Sequence, residues 1–259
     1  MVRLSFSSLA LHLEPPPATV RFAKEKGFQG AEILCEPPWH PRAWSPSLLR
    51  AVREAAGGLT LSIHAPTGDV NLLSRNPGAR RFAEGELSRT LALAARLGAR
   101  YVTVHLGYRS TGIPGELPMD EAKEALRRLR RRAEDLGIAL CLENDPKMIR
   151  FLSLWDLNEY LRWLTELELV GTLDIGHAWI AHGEEAPALI ERCAPRIAVV
   201  HVSDNRGEND DHLPLGRGTI PVEEVLSPLR GAELWVLELF SPGGAETSLE
   251  VLEKLREGF

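Results

Sequence analysis

The sequence contains few cysteines and few lysines. Its three cysteines, Cys35, Cys141 and Cys193, lie far apart and form no CxxC pair, and an odd count argues against a disulfide framework. We therefore expect all three to pack in the core and to do no chemistry. Only five of the 30 basic residues are lysines, and the formal net charge is −6. The chain thus lacks the overall basic character that favours binding to nucleic acid phosphates.

Long apolar runs are also absent. None reaches the roughly 20 residues that a membrane-spanning helix needs. His12 and Glu14 interrupt the apolar residues near the N-terminus, where a signal peptide requires a continuous run. We therefore expect a cytoplasmic protein without a membrane partner. The motif GxGxxG does not follow the first predicted strand, and GxxxxGK[ST] does not occur, which removes support for a nucleotide-binding open sheet.

Short β-branched runs alternate with amphipathic helical stretches eight times along the chain. The predicted strands are Val2–Ser7, Gly30–Leu34, Thr60–His64, Arg100–His105, Ile138–Glu143, Leu169–Asp174, Ile197–Val202 and Leu234–Leu239. The predicted helices are Pro17–Lys26, Ser45–Ala56, Pro77–Leu97, Met119–Leu136, Ser153–Glu166, Glu184–Cys193, Pro221–Leu229 and Ala245–Glu257. The strands are almost continuously apolar, which indicates a parallel sheet buried on both faces. Eight such units in 259 residues predict an α/β fold, a (β/α)8 TIM barrel, as a single domain over residues 1–259.

Potential metal ligands lie at or beside the ends of six consecutive predicted strands, the third to the eighth. They are His64, His105, Glu143, Asp174, His201 and Glu238. In a (β/α)8 barrel the carboxyl ends of the strands meet at one face, where the chemistry is located. Three residues in predicted loops extend the set. They are His177, which lies three positions after Asp174, and the pair Asp210 and His212. The remaining histidines, His12, His40 and His182, fall outside this pattern.

Glu143, Asp174, His201 and Glu238 together supply three carboxylates and one imidazole. Such a set suits an ion such as Mn²⁺, Zn²⁺ or Co²⁺ better than Ca²⁺. Two further groups are possible, one made by His64 and His105 with a shared Glu143, and one made by His177, Asp210 and His212. We therefore expect between one and three divalent ions per chain, manganese or zinc.

Around these residues the sequence resembles the xylose isomerase-like TIM barrels, over essentially its whole length. The matching stretches are SIHAPTGDVNL around His64, VTVHLG around His105, LEND at Glu143, LDIGH at Asp174 and His177, HVSDN…DDHLPLGRG from His201 past His212, and LEL at Glu238. This superfamily includes sugar and sugar-phosphate isomerases and epimerases, and also endonuclease IV.

The resemblance implies, as the first alternative, a sugar or sugar-phosphate isomerase or epimerase. A divalent ion would polarise the substrate carbonyl, and Glu143 and Glu238 would move a proton through an enediolate-like state. His177 and Arg206 would then contact the substrate, a small sugar or sugar phosphate.

The second alternative is an endonuclease IV-like phosphodiesterase that acts on abasic DNA, which the full set of nine ligands would support. The sequence departs from that pattern at two places. Residues 65–69 after His64 read APTGD where endonuclease IV has residues that intrude into DNA, and VSDNR follows His201 where that family has LNDSK. Together with the net charge of −6, these departures rank nucleic acid below a sugar as the expected substrate.

Overall fold

Eight parallel strands close into a barrel in a computed structural model that describes residues 1–110, 115–147 and 154–258. The strands are β1 (Arg3–Ser7), β2 (Gly30–Leu34), β3 (Thr60–His64), β4 (Tyr101–Val104), β5 (Ala139–Glu143), β6 (Val170–Asp174), β7 (Ile197–Val202) and β8 (Leu234–Leu237). They follow one another in sequence order, and β1 closes the barrel by pairing with β8. The predicted (β/α)8 TIM barrel is therefore confirmed.

Helices surround the barrel, and most of them follow the predicted bounds closely. They are α1 (Pro16–Glu25), α2 (Pro46–Ala55), α3 (Pro77–Leu97), α4 (Met119–Asp135), α5 (Leu157–Glu166), α6 (Ile175–His182), α7 (Ala186–Cys193), α8 (Val222–Leu226) and α9 (Ala245–Glu257). The predicted and observed bounds agree because side-chain N-caps and C-terminal glycines mark the helix ends in the sequence. Oγ of Ser45 accepts a hydrogen bond from Leu48 N at the start of α2, and Gly98 ends α3 with a left-handed φ of 74°.

The two main differences from the predicted helices are the start of α5 and an additional helix between β6 and β7. The predicted start of α5 at Ser153 lies outside the described residues, and the helix begins at Leu157 after an N-cap by Asp156. The sequence also placed one helix, from Glu184, between β6 and β7, whereas the structure has α6 before α7. Helix α6 follows β6 without a loop, because the Asp174 carboxylate caps it by accepting a hydrogen bond from His177 N at 2.7 Å. His177 therefore lies in the first turn of a helix, and its assignment to a loop was wrong.

A buried tyrosine fixes the two strands that end in Glu143 and Asp174. The Tyr160 hydroxyl on α5 lies 3.0 Å from Leu142 O on β5 and 2.7 Å from Thr172 O on β6. A Cβ at Gly171 would lie 2.1 Å from that hydroxyl oxygen, so only glycine permits the approach. The helical layer therefore sets where these strands end.

Within the described ranges, no helix combines the length and the apolar composition that crossing a membrane requires.

Candidate metal centre

A cavity of about 800 Å³ opens at the carboxyl ends of the strands. Seven of the nine predicted ligands line it, namely His64, His105, Glu143, His177, Asp210, His212 and Glu238. The other two, Asp174 and His201, are fully buried and contact residues that line the cavity. Nδ1 of His201 lies 2.9 Å from Oε1 of Glu143, and Asp174 caps the helix that carries His177. The structure therefore brings all nine residues into one connected cluster.

Glu143, at the end of β5, is the carboxylate that most of the cluster contacts. Its Oε2 lies 2.8 Å from Nε2 of His105 and 3.2 Å from Nε2 of His64. Its Oε1 lies 2.9 Å from Nδ1 of His201. One oxygen thus faces one pair of histidines and the other faces a third histidine, an arrangement that allows a carboxylate to be shared between two cations.

Several groups of ligand atoms are close enough to surround an ion. Atoms within 4.8 Å of one another occur in the groups His64–His105–Glu143, Glu143–Asp174–His201 and Glu32–His201–Glu238. Asp210 contacts two more of the predicted ligands, since its Oδ2 lies 3.2 Å from Nε2 of His177 and 3.1 Å from Nε2 of His212. The cluster thus offers more than one place for a divalent ion.

Four of the five histidines direct Nε2 towards the carboxylates, because an acceptor lies at each Nδ1. Three of these acceptors are backbone carbonyls, with Nδ1 to oxygen distances of 2.8 Å from His64 to Ala65, 2.8 Å from His177 to Asn144 and 3.1 Å from His212 to Glu238. At His105 the acceptor is Oδ1 of Asp145, at 2.9 Å. A carbonyl oxygen can only accept, so Nδ1 carries the proton and a neutral ring presents the lone pair of Nε2 to a cation.

His201 is oriented the other way. Its Nδ1 faces the carboxylates of Glu143 and Glu238, at 2.9 and 3.5 Å, and its Nε2 lies 3.2 Å from Oε1 of Glu32 on β2. Neither Glu32 nor Asp145 was among the residues predicted from the sequence. The available signals were a carboxylate inside the otherwise apolar strand GAEIL and a second acid two positions after Glu143.

The surroundings move the pKa values of Glu143 and Glu238 in opposite directions. Burial raises the pKa of Glu143, but the charges of His105 and His201 outweigh burial and hold it well below its usual range. Burial also raises the pKa of Glu238, and there the charge of His201 reduces the rise without cancelling it. Glu143 is thus the firmly ionised carboxylate, and Glu238 binds a proton more readily than an ordinary glutamate.

Two of the lining histidines bind protons more tightly than usual. Burial lowers the pKa of His105, but the charge of Glu143 and a hydrogen bond with Asp145 raise it to about 10. Burial likewise lowers the pKa of His212, and its hydrogen bond with Asp210 raises it to about 9. A metal ligand must be a neutral imidazole, so a cation that binds here has to displace protons.

The carboxylates also carry oxygen atoms that lack a protein partner. Among the residues that the structure describes, Oδ2 of Asp174 and Oδ1 of Asp210 are buried and accept no hydrogen bond. A buried carboxylate oxygen without a partner is costly, and a bound cation offsets that cost. With the imidazole nitrogens these oxygens form a mixed donor set of the kind that Zn²⁺ and Mn²⁺ accept. The residues therefore fit a divalent ion.

The loop that supplies Asp210 and His212 is anchored by Asp204, which is 1% exposed. Its two carboxylate oxygens accept four backbone hydrogen bonds, from the N atoms of Asn205 (2.9 Å), Ile220 (3.2 Å), Gly216 (2.9 Å) and Gly218 (2.8 Å). A Cβ at Gly218 would lie 2.1 Å from the carbonyl oxygen of Asn205, so the closed loop requires glycine there. His212 itself has a φ of 45°, a conformation that the anchored loop imposes.

Comparison with known proteins agrees with this fold. The family model for xylose isomerase-like TIM barrels matches residues 20–256. The chain belongs to the xylose isomerase-like TIM barrel family. A solved structure of a D-tagatose 3-epimerase-like protein is similar with a TM-score of 0.86 and 27% identity, covering 99% of this chain and 97% of that one. A protein from Thermus thermophilus soaked with ZnCl2 has a TM-score of 0.75 and 30% identity, covering 100% and 99% of the two chains.

Another relative bears the name of the second enzyme class. A probable endonuclease 4 from Mycobacterium leprae is 26% identical over 249 residues, which cover 89% of this chain and 93% of that protein. The chain is thus similar to one protein named as 3-epimerase-like and to another named as an endonuclease, over 99% and 89% of its length.

In this xylose isomerase-like barrel, the arginine predicted to contact substrate is not at the cavity. Arg206 is exposed, and its guanidinium lies 3.5 Å from Oδ2 of Asp211. Within the described ranges, none of the residues that line the cavity is an arginine or a lysine. His177, the other predicted substrate contact, does line it. The structure thus offers a contact through His177, and a role for Arg206 stays a prediction.

The three cysteines are free and buried, and none lines the cavity. Burial raises the pKa of the Cys141 thiol to about 12 and that of Cys193 to about 11. Protonated, inaccessible thiols are poor nucleophiles and poor metal ligands.

Proposed function

We propose that this protein is a divalent-metal-dependent sugar or sugar-phosphate isomerase or epimerase. The observation that carries the proposal is the convergence of Glu143 and Glu238 on one nitrogen at the wall of a single cavity. Their carboxylate oxygens lie 2.9 and 3.5 Å from Nδ1 of His201, and both residues line the cavity. Two carboxylates in such an arrangement are suited to removing a proton from a carbon atom and returning one to it.

Glu143, Asp174, His201 and Glu238 would hold the ion that supports this chemistry. A divalent cation supplies electrophilic polarisation of a substrate carbonyl, which acidifies the neighbouring carbon. Glu238, whose pKa is raised by burial, is the group suited to take up the proton from that carbon. Glu143 stays ionised and keeps a negative charge beside Glu238. The substrate passes through an enediolate-like state when the proton leaves, and return of the proton gives the isomer or epimer.

The cavity supports a small substrate. Its volume of about 800 Å³ lies within the range of roughly 300–1,000 Å³ that is common for small-molecule sites. Phe240, whose ring centroid lies 4.5 Å from that of His212, gives part of the wall an apolar surface. Glu36 and Asp69 add carboxylates to the lining, whereas DNA binding draws on clustered cations. Hydroxyl groups of a sugar can donate hydrogen bonds to such carboxylates.

The second candidate is an endonuclease IV-like phosphodiesterase acting on abasic DNA. One observation favours this candidate. Asp210 contacts both His177 and His212, and a one-ion isomerase does not require these three additional potential ligands. More than one cation at a site can activate water and stabilise the charge of a phosphate. The similarity to a probable endonuclease 4 agrees with this candidate.

A side-by-side assay separates the two candidates. The purified protein is given Mn²⁺ or Zn²⁺ and tested on an abasic-site duplex and on a panel of ketoses and ketose phosphates. We expect metal-dependent interconversion of a sugar, with exchange of one carbon-bound hydrogen for deuterium from D2O, and no incision of the duplex. The Glu238→Gln variant is the control for contaminating activity. Efficient incision without sugar turnover would reverse the ranking.

A further inference from the structure

Glu32 is a charged residue inside the barrel that the proposed chemistry does not use. It lies on β2, is fully buried, and is not among the residues that line the cavity. It therefore cannot contact a substrate there. Its neighbours include Ser62, whose hydroxyl donates to Oε2 at 3.0 Å, and His201, whose Nε2 lies 3.2 Å from Oε1 and 3.4 Å from Oε2. Burying a charged carboxylate this deeply is costly, so its place next to a candidate metal ligand suggests a role in arranging that ligand.

The position of Glu32 relative to the His201 ring is informative. Glu32 lies at Nε2, whereas Glu143 and Glu238 lie at Nδ1. The ring is further confined because it stacks on the His64 ring, with centroids 5.6 Å apart and planes inclined by 23°. His201 is thus held between one carboxylate on the interior side and two on the side of the candidate metal centre.

We propose that Glu32 is a positioning residue that accepts the Nε2–H of His201 and so leaves Nδ1 as the metal-binding atom. An ionised carboxylate can only accept hydrogen bonds, and a neutral imidazole carries one ring proton, so a proton on Nε2 places the lone pair on Nδ1. Carboxylates that orient a metal-binding histidine in this way also make it a more basic ligand. The proposal rests on the proposed function only in requiring that the cluster binds a divalent ion.

Glu32 has a distinct role among the contacts that orient the cluster. The acceptors at His64, His177 and His212 are backbone carbonyls, which are neutral and which a side-chain substitution leaves in place. Glu32 acts on the opposite ring nitrogen and through a side chain. Removing it should release the proton from Nε2 and allow His201 to adopt the other tautomer, which withdraws Nδ1 from the ion.

Two variants separate the charge of Glu32 from its hydrogen bond. Glu32→Gln keeps a side-chain oxygen that can accept from Nε2–H but removes the charge, and Glu32→Ala removes the acceptor. Zn²⁺ affinity is measured by competition with a chelator, and the His201 tautomer in the Zn²⁺-loaded protein is measured by long-range ¹H–¹⁵N NMR. Loss of such an orienting group typically lowers metal affinity by about 10- to 100-fold. We expect Glu32→Ala to reach the upper part of this range with altered His201 signals, and Glu32→Gln to lose less and keep the Nε2–H tautomer.

Glu86→Gln is the matched control. Glu86 is also a buried carboxylate, 1% exposed, but it lies on α3 and pairs with Arg42 and His40, away from the cavity lining. It should leave Zn²⁺ affinity and the His201 tautomer unchanged, whatever it does to the unfolding free energy. Since the tautomer is read in the folded, loaded protein, a general loss of stability cannot imitate the expected result.

The outcomes are distinguishable. Wild-type protein that binds neither Zn²⁺ nor Mn²⁺ would refute the proposed function itself. Wild-type protein that binds Zn²⁺, with the same affinity and the same His201 tautomer in both Glu32 variants, would refute only the role of Glu32. A tautomer with the proton on Nδ1 of His201 in the loaded wild type would also overturn the proposal. So would loss of one whole equivalent of zinc from Glu32→Gln, because Glu32 would then be a ligand.

Discussion

Replacing Asp204 with asparagine tests whether one buried carboxylate holds the loop that carries Asp210 and His212. The Asp204 carboxylate accepts four backbone hydrogen bonds, two at each oxygen. The asparagine side chain keeps one acceptor oxygen and places an NH2 group where the other oxygen was. Two backbone N–H groups then face a donor, and the charge that strengthened all four bonds is gone.

The size of the effect follows from these contacts. A hydrogen bond to a charged group contributes about 1.5–3 kcal/mol, so losing two costs roughly 3–6 kcal/mol in this loop. That loss is enough to raise the population of the open loop by more than 100-fold. Since the barrel strands are untouched, we expect local opening rather than global unfolding, with His212 released from its φ of 45°.

Hydrogen exchange followed by mass spectrometry is the direct assay. Peptides from residues 204–220 should exchange faster in Asp204→Asn, whereas peptides from β3 to β6 should not change. Zinc bound per chain should fall, because Asp210 and His212 no longer hold their positions. Asp211→Asn, in the same loop, is the control, since the Asp211 carboxylate pairs with the exposed Arg206 at the surface. Unchanged exchange and unchanged zinc content in Asp204→Asn would refute the reasoning.

Three further predictions follow from the candidate site. Glu143→Gln and Glu238→Gln should each abolish sugar turnover, because each removes a charge and a proton-transfer group; near-normal activity with full metal content in either variant would contradict this. Zn²⁺ affinity should rise between about pH 6 and about pH 9, because binding must displace protons from histidines such as His105 and His212, whose pKa values are about 10 and about 9. Titration calorimetry in buffers of different ionisation enthalpy counts those protons, and a pH-independent affinity would disprove the idea. Replacing all three cysteines with alanine should leave zinc content unchanged and lower the unfolding free energy by a few kcal/mol, because each substitution leaves a small cavity in the core; a drop in zinc content would show that a thiol takes part.

The same raised histidine pKa values predict how the protein without bound ions responds to pH. A histidine whose pKa is higher in the folded state stabilises the fold fully below its unfolded pKa of about 6.5, and this contribution is lost as the pH rises through the folded value. His105 and His212 should therefore make the unfolding free energy fall between about pH 6.5 and about pH 10. Urea unfolding of chelator-treated protein measures the trend. A zinc-loaded sample should not follow it, because bound ions replace the protons.

Much of the fold could be read from the sequence, because strand and helix patterns are local. Alternation of apolar runs with helical stretches predicted the barrel, and β2, β3, β7, α3 and α9 begin and end at the predicted residues. In a parallel barrel the last residue of every strand reaches the same face. Strand ends alone therefore pointed to His64, Glu143 and Asp174, which the structure brings into one cluster.

Other features depended on contacts between distant parts of the chain. Glu32 on β2 and His201 on β7 are 169 positions apart and meet only because the strands close into a barrel. Which ring nitrogen faces the carboxylates is decided by the acceptor at the other nitrogen, such as Asn144 O for His177. The sequence also missed α6, because a strand residue that caps the next helix leaves no loop to signal it. The sequence thus shows which residue types stand at the strand ends. Tertiary packing decides how the histidine rings are oriented and which residues they meet inside the barrel.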